Sequence, residues 1–126
     1  MKKINSSDRA WEPAMHEDPE DPGVLKKVIV RHEEVNQASK LMMINLSKVP
    51  VGKTHKSHSH KSMEEIFYSQ KSFAYFTEGE GEVRIEDEIE TVGQGDRIIV
   101  PPAAVHQVKN TGDTELKYIG IGIALD

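Results

Sequence analysis

The stretch Gly52-Lys-Thr-His55-Lys-Ser-His58-Ser-His60-Lys-Ser-Met-Glu64-Glu65 gathers three histidines and two carboxylates within eleven positions, His55 to Glu65. A fold alone does not need that density of ligating side chains, and their chemistry is that of a metal site. On a β-strand, residues i and i+2 share a face, so His58 and His60 project two imidazoles into one space. A carboxylate a few residues on adds an oxygen donor. Glu64 and Glu65 compete for that role, because adjacent residues of an extended chain face opposite sides. Another nitrogen ligand has to come from elsewhere in the chain.

The remaining composition bounds what could hold such a site. The chain has 126 residues, enough for one domain with a single core. Nine glycines and six prolines imply many turns and suit short strands better than a helix bundle. Cysteine is absent, which excludes disulfides, thiolate ligands and cysteine nucleophiles and is compatible with a reducing cytoplasm. No apolar run approaches the roughly 18 residues of a membrane span, and no apolar leader follows the N-terminus. The expectation is a cytoplasmic protein without a membrane partner. With a net charge of -5 and scattered lysines there is no basic stripe for phosphates, so nucleic acid is not an expected partner.

Residues 1–23 form an N-terminal arm: between Trp11 and Gly23, three prolines and five acids leave little scope for regular structure. The arm is either a partly ordered tail or a strap whose Trp11 packs on its own barrel or on a neighbour. Residues 24–126 form the domain. Val24–Arg31 and Leu41–Val49 are paired strands joined by a polar connection, and Pro50-Val-Gly52 breaks the second and leads into the histidine cluster. Ile66–Tyr68 and Phe73–Phe76 are apolar runs separated by Ser69–Ser72, a turn or bulge. Val83–Val92 alternates as a hairpin with one wet face, Arg97–Val100 runs into Pro101-Pro102, Val105–Val108 follows, and Glu115–Leu125 closes the chain. Turns every 8 to 12 residues or so, without helical period, predict an all-β sandwich or barrel.

The nitrogen ligand still needed is His106, in Gly95-Asp-Arg-Ile-Ile-Val-Pro101-Pro-Ala103-Ala-Val-His106-Gln-Val-Lys-Asn110. Together with Gly52, His58, His60 and Glu65, this resembles the two-part signature of the cupin family. That signature is Gly, five residues, His-x-His, three or four residues, Glu, six residues, Gly, and then Gly, five residues, Pro-x-Gly, two residues, His, three residues, Asn. Gly95, Pro101, His106 and Asn110 keep the second spacing intact. Two departures stand out. Ala103 replaces the usual glycine, and thirteen residues, not six, separate Glu65 from Gly79, so that counting back from Gly79 puts Ser72 at the carboxylate position. Either seven residues are inserted after Glu65, or the site is three histidines with a loosely placed acid.

The resemblance covers about residues 40–125 and implies a double-stranded β-helix, or jelly-roll, cupin barrel with an irregular N-terminal arm. It implies that His58, His60, Glu65 and His106 point inward around one divalent transition metal. Three imidazoles and one carboxylate suit Fe, Mn, Ni, Zn or Cu. The implied function is a small metal-dependent enzyme of dioxygenase, isomerase or lyase type acting on a small polar metabolite. The alternative is a non-catalytic module that binds a sugar or small acid. A homodimer is also implied, since single-barrel cupins commonly pair and the arm is available to cross over. His55 has no place in the pattern and is expected at the surface or rim; His16 and His32 are expected in solvent. Tyr68, Phe73, Tyr75, Phe76 and Met43 are core residues or pocket walls.

Overall fold

The structure is a computed structural model describing residues 1–14, 17–36, 38–56 and 70–125. His16, Tyr68, Glu64 and three of the four predicted ligands, His58, His60 and Glu65, lie outside the described residues.

Among the described residues ten strands build two antiparallel sheets: β1 (Glu12–Pro13), β2 (Leu25–Arg31), β3 (Leu41–Val49), β4 (Thr54–Lys56), β5 (Gln70–Glu78), β6 (Glu80–Ile85), β7 (Glu88–Gly93), β8 (Arg97–Val100), β9 (His106–Asn110) and β10 (Leu116–Ala124). The first sheet runs β1-β2-β3-β10-β5-β8 and the second β4-β9-β6-β7. This is the expected all-β jelly roll. No ladder joins the two sheets among the described residues, so side-chain packing closes the structure.

The β-branched and aromatic runs became strands because alternate residues can face a shared interior. In register across the large sheet, Lys26, Ser47, Tyr118 and Phe76 form one inward row on β2, β3, β10 and β5. Val28, Asn45, Gly120, Ala74 and Ile98 form the next. Opposite them, His55, Val108 and Val83 line up across β4, β9 and β6. The core holds Val24, Val49, Phe76, Val83, Val92, Val108, Leu116 and Tyr118. The Phe76 and Tyr118 rings meet at 5.2 Å. Burying a side chain of this size contributes about 1.5–3 kcal/mol.

One expectation needs correction, and the arm takes the second of its two readings. Gln70, Lys71 and Ser72 are not a turn or bulge but the first residues of β5, paired with the end of β10. The arm is more ordered than its prolines suggested: Glu12 and Pro13 pair with β2. Trp11 lies on this chain's own sheet, with Lys27 Nζ at 4.8 Å and Lys48 Nζ at 4.5 Å from its ring centroid.

Candidate metal and ligand site

Between the sheets lies a cavity of about 250 Å³. Its wall is mostly apolar, with Phe76, Val83, Ile98, Val100 and Val108 among its members. Lys26, Asn45, Ser47, His55, Tyr118 and His106 are among its polar members. Among the described residues no Asp or Glu lines it, so its strongest donors are nitrogens.

His106 opens β9 and depends on the turn before it. Ala104 N–H donates to Pro101 O at 3.3 Å, and Ala103, the third residue of that turn, has φ +64°. This is the position at which a turn with Pro second asks for a left-handed residue, usually glycine. The turn forms without glycine because it is held from outside: Glu86 N–H donates to Val105 O at 2.8 Å, and Val105 N–H to Glu86 Oε1 at 3.1 Å. Replacing Ala103 by glycine is expected to stabilise the protein by about 0.5–1 kcal/mol, because it removes left-handed strain and returns part of the gain as chain entropy. Urea midpoints of the two proteins check this.

The half-buried His106 ring places Nδ1 at 3.2 Å from Ala104 O. A carbonyl only accepts, so the proton sits on Nδ1 and the lone pair on Nε2. A backbone carbonyl that fixes a metal-binding imidazole does the same. His106 therefore fits a ligand role.

His55 departs from expectation. It is only 7% exposed and lines the cavity, not its rim. Its partner across the ladder is Val108, two residues from His106, so the two histidines are diagonal neighbours on one face. Their ring centroids are 6.3 Å apart with planes at 85°. His55 Nδ1 lies 3.0 Å from the Tyr118 hydroxyl. Burial pushes that hydroxyl well above its ordinary range, nearby Ser47 pulls it back, and Glu17 adds to the rise, so Tyr118 is a neutral phenol. Ser47 Oγ is close enough to favour ionisation of Tyr118 yet falls short of hydrogen-bond geometry. Sequence spacing missed His55 because strict alternation sets it on the face opposite His58 and His60.

Lys26 keeps partial exposure, but burial lowers its proton affinity, with Glu17 opposing the shift. Ser72, the position reached by counting back from Gly79, lines the cavity from β5. Asn110 is buried and structural: Nδ2 donates to Val49 O at 2.9 Å and Thr114 O at 2.8 Å, and Oδ1 accepts from Gly112 N–H at 2.9 Å. Met43 and Phe76 line the cavity, whereas Phe73, which borders it, shares the opposite face of β5 with Tyr75, which is 48% exposed. His32 is half-buried with Nδ1 at 2.9 Å from Leu41 O, so it is not a purely solvated side chain.

The family profile described as Cupin domain matches residues 45–122, more than half of the chain. The chain belongs to the cupin family. A relative from Methanocaldococcus jannaschii, an uncharacterized protein, is 35% identical over 71 residues, which are 56% of this chain and 51% of that one. This cupin thus matches about half the length of that relative. Among solved structures it resembles a predicted oxalate decarboxylase from Thermotoga maritima at TM-score 0.79 and 21% identity, covering 98% of this chain and 100% of the other. KdgF from a Halomonas species aligns at TM-score 0.70 and 17% identity, over 100% and 96% of the two chains. The cupin domain of an XRE family transcriptional regulator from Enterobacter cloacae aligns at TM-score 0.67 and 12% identity, over 82% and 99%. At these identities the likeness concerns the fold. Among the described residues of this cupin, no helix is long and apolar enough to cross a membrane.

Proposed function

We propose that this cupin is a small metal-dependent enzyme that binds one divalent transition metal and acts on a small polar metabolite in the cavity between its sheets. The observation that carries the reading is His106, set at the cavity wall with Nδ1 held by Ala104 O and the lone pair on Nε2. His58, His60 and Glu65 join it by motif spacing. When bound, the metal supplies a Lewis acid that polarises a carbonyl or lowers the pKa of water. The chain supplies the rest. Apolar walls exclude water, the buried Tyr118 hydroxyl offers a neutral hydrogen bond, and Lys26 offers a nitrogen donor to the ligand. A cavity of about 250 Å³ suits a ligand below drug size. The reducing cytoplasm remains the proposed location, in keeping with the absence of cysteine.

The test is turnover. Metal-loaded protein is mixed with a panel of small oxo-acids, hydroxy-acids and sugars, and their proton NMR signals are followed over hours, with chelator-stripped protein as control. Metal-dependent loss of one compound is expected. Tight binding with no conversion across the panel would favour a second reading, a non-catalytic ligand-binding module, which the likeness to a cupin domain of a transcriptional regulator supports.

We further propose that two copies pair through the outer face of the large sheet. There Val30, Ile44, Ile121, Phe73 and Ile99 stand in register across five strands, an apolar row where a solvent-facing sheet would alternate with polar residues. All five are half-buried, and a self-complementary row is what a two-fold contact between identical chains requires. Light scattering at micromolar concentration is expected to give twice the 14.1 kDa chain mass, and Ile119→Asp, two residues from Ile121 on the same face of β10, is expected to give the monomer. A monomeric mass for the unmutated protein would refute the pairing.

A further inference from the structure

We infer that His55 is a protein ligand of the same ion as His106, a role that the family spacing does not assign to it. The inference rests on the proposal that the cavity holds a divalent metal. Three observations carry it. His55 is buried and lines the cavity, where an imidazole needs a polar purpose. It also stands in ligating reach of His106. Two imidazoles bound through Nε2 on opposite sides of one ion, with metal–nitrogen bonds of about 2.0–2.1 Å, hold their centroids roughly 6.4 Å apart, against about 5.3 Å at a tetrahedral angle, so the pair would take nearly opposite positions. The observed separation is 6.3 Å, with the rings nearly perpendicular.

The third observation is the support behind the ring. A metal-binding histidine has its second nitrogen held by a hydrogen-bonding partner that sets tautomer and orientation. The Tyr118 hydroxyl does this for His55 Nδ1 at 3.0 Å, as Ala104 O does for His106 Nδ1 at 3.2 Å. The oxygen of the Tyr118 phenol can accept the Nδ1 proton. That arrangement leaves the His55 lone pair on Nε2.

The test is direct detection of the bond. Uniformly 15N-labelled protein is stripped with chelator, loaded with one equivalent of 113Cd, and its imidazole 15N signals are recorded. His55 is assigned by the signal lost in His55→Gln. One-bond 15N–113Cd splitting is expected at Nε2 of both His55 and His106. In competition with a chromophoric chelator, His55→Gln is expected to weaken zinc binding at least 100-fold, and Tyr118→Phe, which removes only the orienting group, about tenfold. If His106 is split and His55 is not, the inference is overturned while the metal reading stands. If neither is split and no cadmium is retained, both fall. Should His55→Gln fail to fold, the splitting in the unmutated protein decides alone, with assignment through the backbone.

Discussion

Replacing Gly79 by alanine is expected to cost about 3–5 kcal/mol, whereas the same change at Gly95 costs only about 1–2 kcal/mol. Both glycines belong to the spaced motifs, and both have positive φ, +89° and +92°. The left-handed backbone penalises alanine equally at the two sites. They differ in space. A Cβ on Gly79 would lie 2.5 Å from Glu115 O and 2.9 Å from Leu116 Cα, both backbone atoms, while nothing lies within 4 Å of one on Gly95. Gly79 is the link at which the chain leaves β5 for β6 and so passes from one sheet to the other. Relieving the clash means moving β10 away from β5, against the fully buried Leu116. A domain of this size has about 5–15 kcal/mol in hand, so Gly79→Ala should lower the melting temperature by at least about 10 °C. Equal losses at the two positions would show that the close approach at Gly79 is not what holds the sheets.

His106→Ala is expected to lower metal affinity at least 100-fold and leave the fold intact. The ring is half-buried at the start of β9, and its Nδ1 lies against the carbonyl two residues earlier. The turn that positions it is held by backbone bonds and Glu86, none of which involves the imidazole. Removing the ring therefore subtracts a ligand without unpinning the turn. Orienting partners of ligands are worth 10- to 100-fold in affinity, so loss of a ligand itself should exceed that range. Calorimetric zinc titration together with circular dichroism checks both halves. Unchanged affinity with a native spectrum would remove His106 from the site.

How much of this was legible in the sequence depended on whether a residue's role was local. Strands such as Leu41–Val49 and Leu116–Ala124 could be read because β-branched composition and flanking turns are local signals. His106 was found because its spacing from Gly95, Pro101 and Asn110 reflects one turn, and the structure gives those neighbours physical work: Pro101 O closes the turn and Asn110 ties β9 to β3 and to Thr114. The cavity placement of His55 was not legible. It comes from pairing with Val108, a contact across 53 residues, and from Tyr118 still farther along the chain. The strand start at Gln70–Ser72 was not legible for a similar reason: its polar residues suggest a turn or bulge by composition, whereas pairing with Gly122–Ala124 makes them strand. The arm's Trp11 offered no local clue to the lysines of β2 and β3 that hold it.

The central claim is that this cupin's cavity holds a divalent metal at His106. The most direct measurement is elemental analysis by plasma mass spectrometry of protein purified without an affinity tag or chelator, alongside His106→Ala prepared identically. The account predicts close to one equivalent of a single transition metal in the first and less than about a tenth in the second. Equal metal content in the two, or none in either after incubation with Fe, Mn, Ni, Zn and Cu, would contradict it.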